Sequence, residues 1–234
     1  MGEDRDTHRL FDDWPEKYER WFTTSVGKLV RKYEGDLLAE FLQPKEGEEI
    51  LDAGSGTGVF TLDILERGAR VTGLDISLPM LKHSARKCRD YPLYPVAGDM
   101  IALPFKNNYF DKAISVTALE FIPDAGRAVQ ELFRVVKPGG IVVVATLNSL
   151  SPWAARRSQN AKQEHTIFES VVFRSPDDLR RIVPLSGVIK TAIHFLPDID
   201  PARAEIIEQK GKAENLDTGA FVAGCWEKPR DVTR

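Results

Sequence analysis

Three acids and three glycines carry most of the chemistry available to this sequence. In Asp52-Ala53-Gly54-Ser55-Gly56-Thr57-Gly58 an acid precedes three glycines at alternate positions. Such a turn lets a ligand approach the backbone with no side chain in the way. Behind it Val59, Phe60, Leu62, Ile64 and Leu65 recur at helical spacing, so the turn opens onto a helix N-terminus with bare amides. Ahead of it Ile50 and Leu51 fit a short buried strand closed by Asp52. Strand, glycine turn and helix together suit a nucleotide-like or carboxylate-bearing ligand. The dinucleotide fingerprint Gly-x-Gly-x-x-Gly is not met, because the third glycine comes one residue early, and the Lys-Ser/Thr of a phosphate loop is missing. An acid before the first glycine would repel a pyrophosphate. It suits a hydrogen-bond acceptor or a counter-charge to a cation.

Arg70-Val71-Thr72-Gly73-Leu74-Asp75 reads as a second strand ending in an acid. A right-handed crossover between parallel strands sets Asp75 level with the glycine turn. A carboxylate there can take both hydroxyls of a ribose, each charge-assisted hydrogen bond contributing roughly 1.5–3 kcal/mol. Capping the next helix is a task better filled by Ser77, with Pro79 just inside. A third strand, Leu93 to Ala97, ends in Gly98-Asp99-Met100, where Asp99 also fits a turn aspartate. A fourth, Phe110 to Val116, runs into Thr117-Ala118-Leu119-Glu120-Phe121.

The positioning elements continue on both sides. Residues 14–43 form two helical pieces parted at Thr23-Thr24-Ser25, with Trp14, Tyr18, Trp21 and Phe22 on the first, after a polar, mobile tail over 1–13. The helix from Leu78 to Arg89 presents Lys82, Arg86, Lys87 and Arg89 as a solvated face. An amphipathic helix over 125–136 leads to Lys137-Pro138-Gly139-Gly140, a sharp turn into a fifth strand, Ile141 to Thr146. Over 148–172 the pattern dissolves into an excursion with Trp153, Arg156, Arg157, Lys162 and His165. It borders the ligand end of the sheet, so it is read as selecting the substrate, with a solvated surface excursion as the alternative. Ser175-Pro176-Asp177-Asp178 starts a helix. Then come a sixth strand from Val188 to Phe195, a charged helix from Pro201 to about Glu214, and a final strand from Gly219 to Trp226.

Asp52 to Gly58 with its flanks resembles motif I of the class I S-adenosylmethionine-dependent methyltransferases, small-molecule type. The likeness runs over about 45–147 and more loosely to the C-terminus. It implies an α/β, Rossmann-like three-layer sandwich: a seven-stranded, mostly parallel sheet with an antiparallel last strand, plus an N-terminal helical lid. It implies a tail and lid over 1–43, a cofactor-binding domain over 44–228 with substrate-side insertions near 148–172 and 197–218, and a tail over 229–234.

The cofactor residues it implies are Asp52, Gly54, Ser55, Gly56, Gly58, Asp75, Ile76, Gly98, Asp99, Met100, Thr117 and Ala118. In that family an acid at Asp99 accepts a hydrogen bond from the adenine amino group, with Met100 flanking the ring. Thr117 and Ala118 would lie beside the methionine arm. Tyr18, Trp21, Phe22, Phe121 and Trp153 would form lid and acceptor walls, and Phe121 stands where many relatives carry a histidine. The implied reaction is in-line transfer of a methyl group from S-adenosylmethionine to a small-molecule acceptor, leaving S-adenosylhomocysteine, with no metal. Positioning alone can supply on the order of 7–11 kcal/mol, so no dedicated base is required. Glu120, Tyr18 and His165 are the candidates for one. The accepting atom stays open, and the alternatives are an NAD(P)-binding oxidoreductase and a non-catalytic S-adenosylmethionine-binding protein.

Composition is consistent with a small-molecule partner. The 234 residues are 42% hydrophobic, enough for a sizeable core, and a net charge of -3 gives no electrostatic reason to expect nucleic acid. Cys88 and Cys225 read as reduced thiols of a cytoplasmic protein, and His8, His83, His165 and His194 are scattered without metal-ligand spacing. The apolar run Ile141 to Leu147 is too short to span a bilayer, and Met1 to Asp6 lacks the basic start and apolar run of a leader, so neither membrane insertion nor a signal peptide is expected.

Overall fold

The computed structural model describes residue 11 and residues 14–164 and 171–230. Most of the tail expected over 1–13, the candidate base His165, and residues 231–234 of the C-terminal tail lie outside the described residues.

Two N-terminal helices come first, α1 (Pro15–Thr23) and α2 (Ser25–Leu42). Pro15 sits at the first position of α1, where its missing N–H costs nothing. Thr24 caps α2 by accepting from the Gly27 amide at 3.0 Å. Then follow β1 (Glu49–Ala53), α3 (Val59–Leu65), β2 (Arg70–Asp75), α4 (Leu78–Lys87), β3 (Leu93–Ala97), β4 (Phe110–Val116) and α5 (Ala125–Val135). The chain closes with β5 (Val136–Leu147), α6 (Pro152–Glu164), α7 (Pro176–Ile182), β6 (Val188–Ala192), α8 (Pro201–Ala213) and β7 (Phe221–Glu227).

The seven strands form one sheet in the order β3-β2-β1-β4-β5-β7-β6. The first five are parallel, and β7 runs antiparallel between β5 and β6. Alternate side chains feed two cores, as a pleated strand requires. Ile50, Ile114, Val143 and Phe221 pack on one face with Val30, Leu37 and Phe41 of α2 and Ile64 of α3. Leu51, Ala113, Val142 and Val222 pack on the other with Val129 and Leu132 of α5 and Leu179 of α7. The result is the expected three-layer arrangement. Strand order reverses direction between β1 and β4, and a crevice opens outside the carboxyl ends of strands at such a point.

The bend expected at Lys137 to Gly140 is present as a bulge inside β5: Phe110 and Lys112 of β4 pair with Val136 and Ile141, and Gly139 has a φ of 78°, while Gly139 N–H donates to the Lys228 carbonyl at 2.9 Å. Two expectations are corrected. The segment after 148 is not patternless, since Pro152–Glu164 is helix. Its start carries the same Ser-Pro signal as α7, with the Ser151 hydroxyl accepting from the Ala154 amide at 3.1 Å. The sixth strand stops at Ala192, because Ile193 turns to a φ of 67° and the His194 N–H leaves the ladder for the Glu208 carboxylate at 2.8 Å.

Candidate active site

A cavity of about 1030 Å³ lies outside the carboxyl ends of β1, β2 and β4. Ligand pockets span roughly 300–1,000 Å³, so it has room for more than one small molecule. Sixteen of the seventeen residues expected at the site line it: Asp52, Gly54, Ser55, Gly56, Asp75, Ile76, Gly98, Asp99, Met100, Thr117 and Ala118 at the strand ends, and Tyr18, Trp21, Phe22, Phe121 and Trp153 around them. Gly58 is not among the lining residues. It caps α3 at φ 77°, and a Cβ there would stand 3.0 Å from that of Ser84, so its place is in the joint between α3 and α4.

The glycine turn is tied to β2. Gly54 and Ser55 donate their amides to the Leu74 carbonyl at 2.7 and 3.0 Å. The Gly56 amide donates to Asp75 Oδ2 at 2.8 Å, while Asp75 Oδ1 accepts from Ser77 at 2.9 Å. Burial pushes the Asp75 carboxyl up, against these backbone hydrogen bonds. Each oxygen keeps a further lone pair for a ligand hydroxyl. A Cβ on Gly54 would meet that of Ala118 at 2.4 Å, whereas one on Gly56 would enter open space. The open cradle at Gly56 beside the Asp75 carboxylate fits a polar ligand lying across the turn. Among the described residues the Ser55 hydroxyl, buried near Gly73, has no partner.

Asp52 is buried beneath the same turn, and its Oδ2 accepts from the Thr61 hydroxyl at 2.5 Å. Burial pushes its carboxyl up to about 7, the Thr61 hydrogen bond opposing and the Asp75 charge adding. A folded carboxyl that keeps its proton to higher pH than the unfolded one makes stability fall as pH rises between the two values, from about 4 to about 7. Asp52→Asn is therefore expected to melt above the wild type at pH 8, with the gap closing towards pH 4. Equal midpoints at pH 8 would contradict this. Asp99 accepts from the Ile101 amide at 3.0 Å and starts a 3-10 turn while also facing the cavity, so the turn role and the site position coexist. Thr117, just past β4, holds a φ of 46°, a rare conformation for a β-branched residue.

Much of the rest of the cavity lining is aromatic. Trp153 is 7% exposed and donates its indole N–H to the Phe195 carbonyl at 2.7 Å, which fixes the ring as a wall. Arg157 lies 5.2 Å over that ring. Tyr18, Trp21, Phe22 and Phe60 form an edge-to-face chain with centroids 4.9–6.4 Å apart, and Phe11 stacks edge-on to Phe121 at 4.7 Å. Burial pushes the Tyr18 phenol up, the nearby Glu34 carboxyl adding and a side-chain hydrogen bond with Thr117 opposing.

Three site residues escaped the sequence reading. Glu19 on α1 accepts from the Thr57 hydroxyl at 2.5 Å and pairs with Lys87 on α4, holding α1 against the glycine turn. Lys87 is thus not part of a solvated face. Glu34 is 5% exposed and lines the cavity from α2. Its signal was present: with Val30, Tyr33, Leu37, Leu38 and Phe41 it occupies the buried stripe of that helix. Glu120 is corrected in the opposite direction. Its Oε1 accepts from the Leu147 amide at 2.6 Å, and it is not among the residues lining the cavity, so it is out of reach as a base.

A doubly wound sheet with a ligand-sized cavity at its switch point defines a nucleotide-cofactor-binding α/β protein. Comparison with known proteins narrows this. Residues 51–144 match the methyltransferase domain family. Over 97% of its length the chain is 38% identical to demethylmenaquinone methyltransferase of Corynebacterium kroppenstedtii, covering 96% of that protein. It is also 38% identical to malonyl-[acyl-carrier protein] O-methyltransferase of Pseudescherichia vulneris, but over 51% of this chain and 47% of that one. A crystal structure of an S-adenosylmethionine-dependent methyltransferase from Thermotoga maritima shares the fold, with a TM-score of 0.69 at 21% identity over 95% of this chain and 99% of that one. The chain belongs to the class I S-adenosylmethionine-dependent methyltransferases. The oxidoreductase alternative falls with that assignment.

Proposed function

We propose that this methyltransferase acts on a small acceptor with an apolar, ring-bearing body, held against the aromatic lining of the cavity. The observation that carries this reading is the mixed lining of that one cavity. Carboxylates and the glycine turn line it together with Phe11, Trp14, Phe121 and Trp153. The nearly full-length likeness to a demethylmenaquinone methyltransferase supports a quinol-type acceptor as the first to test.

S-adenosylmethionine, when bound, supplies a methyl group activated by a positive sulfur. The residues that would hold it are those at the strand ends. Asp75 would take the ribose hydroxyls, and Asp99 and Met100 would border the adenine. Gly56 would leave the backbone open to the ligand, and Gly54 would let the turn pack against Ala118. Asp52 would face the amino group, with Thr117 and Ala118 along the methionine arm. The aromatic helix α1, latched through Glu19, would act as the lid that keeps water out, which sharpens electrostatic effects inside. Cys88 and Cys225 are free thiols, and among the described residues no helix is long and apolar enough to cross a membrane, which is compatible with a cytoplasmic setting.

The test is transfer of labelled methyl from S-adenosylmethionine to three acceptors: a short-chain demethylmenaquinol, a malonyl thioester and an aromatic amine. Label in the quinol alone is the expected result. Label in the thioester or the amine alone would overturn the quinol assignment.

A further inference from the structure

Glu34 has no place in the expected cofactor set, yet it is a carboxyl buried in the wall of the cavity. It projects from the middle of α2, a helix whose remaining inward positions are apolar. Around it stand Tyr18 from α1, Arg31 on its own helix, Glu120 after β4 and Arg157 from α6. Arg31 is engaged elsewhere, paired with Asp63 at 2.7 Å and bonded to the Val59 carbonyl at 2.9 Å. Tyr18 and Thr117 both line the cavity, and the Glu34 charge adds to the burial that raises the Tyr18 phenol. Arg157, whose charge pulls on Glu34, packs over the Trp153 ring. Glu34 lines the same cavity as Asp52, Thr117 and the aromatic side chains. A donor with its nucleoside over β1 and β2 and its acceptor among the rings would hold its sulfur inside this cavity, which Glu34 lines.

We propose that Glu34 is the counter-charge to the sulfonium of the donor, so that the site holds S-adenosylmethionine in preference to S-adenosylhomocysteine. The inference rests on the cofactor reading of the cavity and adds a residue to it. Its physics is a linkage. Burial holds the Glu34 carboxyl protonated, up to about 8, against the pull of Arg157 and Arg31, with Glu120 adding to the rise. A cation brought beside a buried carboxyl favours its charged form. Entry of the sulfonium would ionise Glu34 and send its proton to the buffer. The thioether of S-adenosylhomocysteine has no charge on sulfur and would leave that proton in place. Asp52, near the glycine turn, would meet the same amino group in both ligands, so its response cancels in the difference between them.

The experiment is calorimetric titration of the full-length protein with each ligand at pH 7, repeated in buffers of different ionisation enthalpy. The wild type is expected to release more protons with S-adenosylmethionine than with S-adenosylhomocysteine. In Glu34→Gln that difference is expected to vanish. Affinity for S-adenosylmethionine falls at least tenfold at pH 8, and affinity for S-adenosylhomocysteine stays within twofold, which also shows the variant is folded. Equal proton release by the two ligands in the wild type would overturn the role of Glu34 without recourse to any variant. An equal loss of both affinities in Glu34→Gln, or no loss of either, would overturn it too. Absence of binding by both ligands to the wild type would overturn the cofactor reading itself, and this inference with it.

Discussion

Replacing Asp75 by alanine is expected to weaken S-adenosylhomocysteine binding by more than tenfold while leaving the chain folded. Two charge-assisted hydrogen bonds to a ribose would be worth roughly 3–6 kcal/mol together, and each 1.4 kcal/mol is a factor of ten. The structure adds a second route to the same loss. Asp75 takes the Gly56 and Ser77 amides at 2.8 and 2.9 Å, so its removal also loosens the glycine turn at Gly56. Gly56 lines the cavity, where water can replace the lost acceptor, and the Gly54 and Ser55 bonds to Leu74 remain, so global stability is expected to fall only by about 1–3 kcal/mol. Asp75→Asn separates the two routes, since an amide oxygen can still accept one backbone bond. Calorimetry on both variants checks this, and unchanged affinity in Asp75→Ala would refute the ribose role.

Gly56→Val is expected to abolish detectable binding. A Cβ at Gly56 meets nothing within 4 Å, so the added isopropyl group projects into the space the ligand would fill. The backbone φ of 54° is a further penalty for a β-branched residue, on the order of 1–3 kcal/mol. Gly56→Ala grades the effect: it carries less strain and blocks less, so a partial loss is expected there. Titration of both with S-adenosylhomocysteine, alongside thermal midpoints, separates blocked binding from unfolding. A valine variant that binds as tightly as the wild type would mean the ligand does not lie against this turn.

What the sequence made legible follows from how strongly residue type is forced by backbone. Gly54, Gly56 and Gly58 all have positive φ, which few other residues tolerate, so their spacing announces the turn. Asp75 and Asp99 end strands whose apolar runs locate them along the chain, and the crossover rule then locates them in space. Glu34, Glu19 and Lys87 were not legible in that way. A charged residue on a helix reads as solvated unless its neighbours in the stripe are weighed, and Glu19 meets Thr57 and Lys87 only after three elements have packed. The helix Pro152–Glu164 was missed because Trp153 and Ala154 are buried at its start while the residues that follow are polar, leaving too short an apolar stripe for periodicity. Lys137 to Gly140 has the composition of a turn, and only pairing with Lys228, distant in sequence, keeps it in the sheet.

The most direct measurement is a crystal structure of the protein grown with S-adenosylhomocysteine. The account predicts the nucleoside across the carboxyl ends of β1 and β2, its ribose hydroxyls on Asp75, its adenine beside Asp99 and Met100, and its sulfur facing the chamber between Thr117, Tyr18 and Glu34. Ligand density elsewhere on the molecule, with the crevice over Gly54 to Gly56 closed by the protein's own side chains, would contradict it.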